Sequence, residues 1–290
     1  MQKSNRRNNM SSLKWIYKVT RLEQCLIAGL STWLIALLSN GPLWLNEPKV
    51  AAGISMFFSC LGASLFHHGR RHKLYAEKWY DPIIIKHPGV LIACGTAAFI
   101  CSIVIAGIAL PALCTQIAIA NFLIILLYAE FLDQYWPFKN LAIALVCVTP
   151  IVMGWYSGHR LHPVVPFLMA AIFCTYFARE ILKDIEDRDA NHGKRFTMVM
   201  SLGINTCQRI AGGLLGIAIL CLAGGLLQLA QPHSISATLI YVPYLFSMYF
   251  LGRYIRYLLR DVHAFHRYRL IDIGMLSLMA STLALRATLY

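Results

Sequence analysis

Charged residues are scarce in this chain of 290 residues: Asp, Glu, Lys and Arg make up 13% of it, while hydrophobic residues make up 58%. A soluble domain has about a quarter charged residues, because its surface must stay polar. The mean hydropathy of +0.59 does not fit such a surface. Low-complexity stretches are lacking, which excludes disorder, and the nine cysteines include no CxxC pair, which disfavours a disulfide-stapled secreted fold. The remaining class is a polytopic membrane protein.

Apolar windows of at least about 18 residues, the length that crosses hydrocarbon as a helix, predict nine spans. Two windows are long enough for two helices each and are broken at Pro111 and at Gln231–Ser234. Every span must be helical, because lipid offers bare backbone no hydrogen-bond partner. We therefore expect an all-α membrane protein that forms a single domain over residues 1–290. The windows are Gln24–Asn46, Val50–Gly69, His87–Ala129, Asn140–His159, Leu161–Ala178, Ile210–Gly252 and Ile271–Tyr290.

Basic residues concentrate in four segments between the predicted spans, and such segments mark the cytoplasmic side of a membrane. If residues 1–20 are a cytoplasmic N-terminal segment, nine spans place all four segments on one face. The net charge of +13 then mainly reflects the orientation of the chain in the membrane, and it also attracts the chain to anionic lipids. No nucleic-acid partner is expected, because no soluble domain remains to bind one. The short loops and the lack of a targeting segment predict a bacterial inner membrane.

Acidic residues are rare, yet five of the thirteen lie in ten positions: Glu180, Asp184, Glu186, Asp187 and Asp189. On a helix of about 100° per residue, Glu180, Asp184, Asp187 and Asn191 share an arc of roughly 60°. Like charges on one face repel, so a helix tolerates them when a cation lies against that face. Carboxylate oxygens suit Mg²⁺, which substrate phosphates complete. The pattern favours a Mg²⁺–diphosphate site at the membrane face over a merely solvated helix end.

The segment Arg179–Asp187 closely resembles the second aspartate-rich motif of the UbiA superfamily of intramembrane prenyltransferases. Its variant is most similar to the digeranylgeranylglyceryl phosphate synthase branch of that family. The stretches Gly193–Thr197 and Leu127–Asn140 also resemble family segments, and Arg21 fits the position before the first span. The resemblance implies nine transmembrane helices around one central cavity, which opens toward the cytoplasmic face and laterally to lipid.

The activity implied by the resemblance is transfer of a polyprenyl group from its diphosphate to a lipid or aromatic acceptor, with Mg²⁺ as cofactor and release of pyrophosphate. It implies catalytic roles for Lys183, Asp184 and Asp187. The metal ligands it implies are Asp184, Asp187, Glu180 and Asn191, with Glu77 and Asp81 as further candidates. The substrate-binding residues it implies are His67, His68, Arg70, Arg71, Tyr128, Lys139, Asn140, Arg179 and Lys194.

The first aspartate-rich motif of the family is divergent in this chain. One register places His67 and His68 on its first two positions and removes every acid. The site would then bind one metal, and Arg70, Arg71 and Lys73 would hold the diphosphate directly. The other register keeps Glu77 and Asp81, which would support a second metal. We favour a mixed arrangement, with basic residues at the helix end and Glu77 or Asp81 reaching the metal. The loop after the fourth span also departs from the family, because Asp133 stands where a Lys is usual.

Two other functions fit the same sequence. A terpene cyclase on this scaffold would ionise the same diphosphate and then quench the carbocation internally. A non-catalytic relative that binds a lipid or a partner would explain the eroded first motif, whereas the intact carboxylate stripe argues against it. Single residues also have simpler interpretations: His67 and His68 as interfacial histidines, Arg70 and Arg71 as topology anchors, and Tyr128 as a packing residue.

Overall fold

A computed structural model describes residues 17, 19–38, 47–71, 87–158, 163–188, 196–229 and 235–260. Eight helices of 17 residues or more occupy most of these segments, and the described residues form no strand beyond an isolated parallel bridge between Tyr135 and Phe196. The helices are α1 (Leu22–Leu38), α2 (Glu47–Arg70), α3 (Pro88–Ala109), α4 (Ala112–Glu130), α5 (Phe138–Gly158), α6 (Val165–Glu186), the short α7 (Met198–Leu202), α8 (Ile204–Leu229) and α9 (Ile235–Arg260). A single 3₁₀ turn, Leu132–Gln134, follows α4.

Six of the helices described are long and apolar enough to cross a membrane, namely α2 to α6 and α8. The predicted break inside His87–Ala129 is confirmed, since Leu110 is extended and Pro111 caps the start of α4. The second predicted break is also confirmed, because α8 ends at Leu229 and α9 begins at Ile235. The ninth predicted span, Ile271–Tyr290, lies outside the described residues. The nine-helix count therefore stays a prediction.

Small residues let the helices approach closely, as is common inside membranes. A Cβ on Gly29 of α1 would lie 2.9 Å from the carbonyl oxygen of Gly53 on α2. A Cβ on Gly154 of α5 would lie only 2.5 Å from the carbonyl oxygen of Thr32 on α1. These contacts fix α1 between α2 and α5 and set the spacing of the polar helix ends.

Hydrogen bonds between helices add to this packing. Asn121 of α4 donates from Nδ2 to Oγ1 of Thr149 on α5 at 3.0 Å. The largest apolar core lies among α5, α6, α8 and α9, and it includes the fully buried Leu168, Ile181 and Tyr254. It holds the C-terminal half of α6 rigidly in place.

Five helix ends meet on one side of the bundle. Ser64 near the end of α2 donates to the backbone oxygen of Val19, just before α1, at 2.8 Å. Lys139 at the start of α5 contacts Asp184 near the end of α6, and Arg70 at the end of α2 contacts Glu130 at the end of α4. The predicted topology assigns all five of these ends to the same face of the membrane.

Candidate active site

Two carboxylates lie one helical turn apart in the last part of α6. Glu180 is 3% exposed and Asp184 is 1% exposed, whereas Glu186 on the same helix is exposed. Arg179 donates from Nη1 to Oε1 of Glu180 at 3.2 Å. The buried positions of Glu180 and Asp184 agree with the predicted stripe as far as α6 extends. The helix ends at Glu186, and Asp187 caps it through a 2.9 Å bond from its N–H to the carbonyl oxygen of Lys183.

Lys139 forms a buried ion pair with Oδ1 of Asp184. The other carboxylate oxygen, Oδ2, is buried and has no hydrogen-bond partner among the described residues. Asn140 is fully buried beside Asp184 and its amide interacts with that carboxylate, but neither amide atom comes within 3.5 Å of a hydrogen-bond partner in the described part of the chain. Buried polar atoms are nearly always hydrogen-bonded, so unpaired ones point to a missing ligand.

The backbone of Lys139 is held in place by the segment before α5. Its N–H donates to the carbonyl oxygen of Tyr135 at 3.0 Å. Trp136 and Gln134 exchange backbone hydrogen bonds with Phe196, at 3.3 Å and 3.2 Å. Phe196 belongs to the segment that follows α6, so this bridge ties the two polypeptide segments bordering the Asp184 site together.

Among the described residues that interact with Glu180 and Asp184, cations outnumber carboxylates. Glu180 interacts electrostatically with four cationic side chains, contributed by two helices, α5 and α6, and by the residue before α1: Arg21, Lys139, Arg179 and Lys183. Together with Glu180 and Asp184 they leave an excess of two positive charges. We call these six residues the α6 cluster. An excess of positive charge around buried carboxylates suits a ligand that combines a metal ion with a multiply charged anion.

His68 lies at the edge of the α6 cluster. It is fully buried, and its Nδ1 lies 2.6 Å from the carbonyl oxygen of Ser64, so Nδ1 carries the proton and donates it. The ring interacts electrostatically with Arg21 and Lys183. The structure therefore brings His68 toward the predicted diphosphate-binding residues.

A second polar group lies where α2 and α4 end. Arg71 approaches Oδ2 of Asp133 with Nε at 3.2 Å, and the Tyr128 hydroxyl donates to Oδ1 of Asp133 at 3.1 Å. The ring of His67 lies 5.1 Å from that of Tyr128, centroid to centroid. Asp133 is 1% exposed. We call Arg71, Asp133, Tyr128 and His67 the α2 cluster, and its one clear ion pair is electrically neutral.

Arg70 lies at the outer edge of the same region. It pairs with Glu130, and the two side chains are 42% and 28% exposed. Of the predicted site residues, the structure brings Glu180, Lys183, Asp184, Lys139, Asn140, Arg179 and His68 together, and it places His67, Arg71 and Tyr128 in the α2 cluster. Glu77, Asp81, Asn191 and Lys194 lie outside the described residues, so both registers of the first motif stay predictions.

The Asp184 carboxylate fits a Mg²⁺ ion. The described residues contain no group of three His, Cys, Asp or Glu side chains that could hold a metal. Mg²⁺ does not require such a group, because one or two carboxylates, water and substrate phosphates commonly complete its shell. The unpaired Oδ2 of Asp184, with Glu180 one turn away, provides carboxylate oxygens of the right kind.

A cavity of about 700 Å³ lies beside the start of α8. Its lining combines one cation, two small polar side chains and several apolar ones, among them Arg188, Met200, Gly203, Ile204, Asn205 and Thr206. Cys207, in the first turn of α8, interacts electrostatically with Asp184. The cavity therefore opens near the α6 cluster, on the side of α8.

Sequence reasoning gave no site role to three residues that the structure places in or beside the clusters. Arg21 was noted only as fitting a family position, yet it acts on both Glu180 and His68. Asp133 was noted as an unusual acid, and its burial in a chain poor in acids is the signal that could have marked it. Thr197 is 1% exposed, and its Oγ1 has no hydrogen-bond partner within the described segments.

The fold and the clusters define an integral, multi-pass membrane protein with a buried, cation-rich polar site at one side of its helices. Residues 85–270, more than half of the chain, match the UbiA prenyltransferase family, and the chain belongs to that family. It is therefore a prenyltransferase by class.

A digeranylgeranylglyceryl phosphate synthase from Methanoculleus marisnigri is 26% identical over 199 residues, which are 67% of this chain and 70% of that protein. A solved structure of a digeranylgeranylglyceryl phosphate synthase has a TM-score of 0.74 at 16% identity and covers 94% of this chain and 98% of its own. A UbiA homologue from Archaeoglobus fulgidus, solved with DMAPP and Mg²⁺, has a TM-score of 0.72 at 13% identity and covers 93% and 98%.

Proposed function

We propose that this chain moves a polyprenyl group from its diphosphate to a lipid or aromatic acceptor, in a Mg²⁺-dependent reaction that releases pyrophosphate. The observation that carries the proposal is the α6 cluster, in which the buried carboxylates of Glu180 and Asp184 pair with Arg179 and Lys139. Two further cations, Arg21 and Lys183, interact electrostatically with Glu180. Carboxylates alone would suit a metal ion, and cations alone would suit any phosphate. Both together suit a metal-bound diphosphate. The Archaeoglobus fulgidus homologue, solved with DMAPP and Mg²⁺, supports the same donor chemistry.

Arg179 and Lys183 are the residues we assign to the leaving diphosphate, with Lys139 as a third cation and Arg70 as a further candidate. Arg71, predicted for the same role, is paired with Asp133, and we assign that pair to the stability of the fold. Asp184 would hold the metal with Glu180 and Asp187, and Glu77, Asp81 and Asn191 are the predicted additional ligands. When bound, Mg²⁺ neutralises the charge that develops on the diphosphate oxygens. The cations of this chain add to that effect and keep the diphosphate in place.

In the proposed reaction, the bond between the terminal prenyl carbon and the diphosphate oxygen breaks, and its electron pair leaves with pyrophosphate. An acceptor hydroxyl oxygen or aromatic carbon then bonds to the prenyl carbon and loses a proton. The prenyl tail would lie between apolar helices.

A glycerophosphate-type hydroxyl is the acceptor we favour. The relative from Methanoculleus marisnigri is named for a glyceryl phosphate lipid product. The cavity at the start of α8 offers Arg188 to an acidic headgroup and apolar side chains to its tail. The basic segments support a site on the cytoplasmic face of the membrane.

A second candidate function is non-catalytic binding of a lipid or partner. Two observations favour it: Asp184 is already paired with Lys139, and Arg71 is already paired with Asp133. In that case the chain would bind a prenyl diphosphate without cleaving it.

The deciding experiment is pyrophosphate release by the detergent-purified protein. Prenyl diphosphates of increasing chain length are offered with and without Mg²⁺ and with and without a crude lipid extract as acceptor source. The double variant Asp184→Asn, Asp187→Asn is the test, and Glu186→Gln is the matched control, because Glu186 is an exposed acid on the same helix.

Three outcomes distinguish the candidate functions. Mg²⁺-dependent release that needs the extract, persists in the control and is lost in the double variant supports the transferase. Release without the extract indicates a cyclase. Binding with no release indicates the non-catalytic relative.

A further inference from the structure

The ion pair between Lys139 and Asp184 occupies the carboxylate that the proposed function assigns to the metal. Both side chains are buried, at 5% and 1% exposure, so water does not screen the pair. One oxygen of Asp184 receives the ammonium group, and the other has no hydrogen-bond partner in the described segments. A metal ion that binds Asp184 would therefore compete with the Lys139 ammonium group for the same carboxylate.

The charge around this pair opposes a metal ion that arrives alone. The six described residues of the α6 cluster include four cations and two carboxylates, and Lys139 interacts with Glu180 as well as with Asp184. A divalent cation that enters this site meets net repulsion from these six residues, since like charges at short range in a poorly screened environment repel strongly. A diphosphate meets attraction at the same place. The anion therefore reverses the charge balance before or as the metal enters.

Resting on the proposed function, we infer that Lys139 is an exchangeable counter-ion that couples metal binding to diphosphate binding. In the free protein it neutralises Asp184. When the diphosphate is bound, Lys139 turns to the phosphate oxygens and leaves Asp184 to the divalent metal. The metal consequently binds well only together with the diphosphate, and the diphosphate binds more tightly with the metal, because such coupling is reciprocal.

The local structure allows this exchange without backbone movement. The backbone of Lys139 is held by Tyr135, and Asp184 lies on a helix packed in the main core. A lysine side chain, by contrast, is a flexible stem with three rotatable donors, which can turn from a carboxylate to a phosphate. Breaking a buried pair is costly when either charge is left alone. The exchange avoids that cost, because the metal replaces Lys139 on Asp184 and the phosphate replaces Asp184 on Lys139.

The test is equilibrium binding of Mn²⁺, followed by electron paramagnetic resonance, with inorganic pyrophosphate as the anion. Protein-free samples correct for the complex that Mn²⁺ forms with pyrophosphate in solution. For the wild-type protein we expect saturating pyrophosphate to raise Mn²⁺ affinity by about tenfold or more, within the usual range of coupling between sites. For Lys139→Met we expect Mn²⁺ to bind more tightly than to wild type without pyrophosphate, and the coupling to fall below about threefold.

Lys139→Arg is the matched control, because it keeps the charge and must keep most of the coupling. The Met variant should still fold, since three other cations remain around the carboxylates, and Lys139→Gln replaces it if it does not. Mn²⁺ affinity that is the same with and without pyrophosphate in the wild type would overturn the inference. Coupling that survives in the Met and Gln variants would overturn it as well.

The role of Lys139 and the proposed function can fail independently of each other. If the wild type releases no pyrophosphate from any prenyl diphosphate, yet the Mn²⁺ coupling is present and depends on Lys139, only the proposed function fails. If release is Mg²⁺-dependent but Mn²⁺ binds independently of pyrophosphate, only the role of Lys139 fails.

Discussion

The α6 cluster and the α2 cluster are alike in one respect and differ in another. Each places a nearly fully buried aspartate against a cation from a neighbouring helix or loop. Around Asp184 the cations among the described residues are in excess, whereas Arg71 and Asp133 balance each other and Tyr128 adds a hydrogen bond. Buried polar atoms without a hydrogen bond in the described chain occur in both clusters, at Oδ2 of Asp184 and at Nη2 of Arg71, so they do not distinguish the two. We infer that a buried ion pair indicates a ligand site when charge is left over around it. The first cluster is therefore assigned to chemistry and the second to stability.

The largest effect is expected for the substitution Asp184→Asn in the α6 cluster. We expect it to lower the rate of pyrophosphate release by a factor on the order of 100 or more, as is typical when a group that stabilises transition-state charge is removed. The measurement is single-turnover release at saturating donor and Mg²⁺, with Glu186→Gln beside it. A rate within tenfold of wild type would show that Asp184 does not hold the metal.

The next largest effect is expected in the α2 cluster. Asp133→Asn leaves Arg71 without its counter-ion and should lower the free energy of unfolding by about 3 kcal/mol, the lower end for a broken buried pair because Arg71 is partly exposed. Thermal unfolding in detergent measures the loss. In a double-mutant cycle with Arg71→Gln, the two losses should sum to more than the loss in the double variant. Strict additivity would mean that the pair contributes no interaction energy.

Tyr128→Phe tests the same cluster more gently. It removes one hydrogen bond to a buried carboxylate and keeps the ring against His67, so we expect a loss of about 1.5 kcal/mol in stability. The same thermal assay measures it, with pyrophosphate release as the second readout. A large fall in pyrophosphate release with unchanged stability would show that Tyr128 contributes to substrate binding, the role that the family resemblance implies.

The smallest effect is expected for Glu130→Gln. Its pair with Arg70 is exposed on both sides, and such surface pairs contribute less than about 1 kcal/mol. We expect the midpoint of thermal unfolding and the release rate to stay close to the wild-type values. A clear rise in donor affinity would show that Glu130 restrains an arginine that binds the diphosphate.

The helices and the buried carboxylates could be predicted because they depend on local patterns. Apolar length predicted the spans, the chemistry of proline predicted the break at Pro111, and helical spacing predicted that Glu180 and Asp184 share a face. All three signals lie within a few turns of chain.

The pairings across helices could not be predicted. Lys139 meets Asp184 across 45 residues of sequence, and Arg71 meets Asp133 across 62, and no local rule encodes either contact. The family resemblance named Lys139 and Arg71 as substrate-binding residues, but it did not indicate that each already has a carboxylate partner. That information is tertiary, and it changes the role that each residue can have.

We propose that the α6 cluster performs the chemistry and that the α2 cluster supports the fold. The most direct test is the rate of pyrophosphate release per folded molecule for Asp184→Asn and Asp133→Asn, measured side by side with the same prenyl diphosphate. Gel filtration in detergent supplies the folded fraction. We expect the release rate to fall by a factor on the order of 100 or more in Asp184→Asn and to stay within a few-fold of wild type in Asp133→Asn. Equal losses in both variants, or a larger loss in Asp133→Asn, would contradict this division of roles between the two clusters.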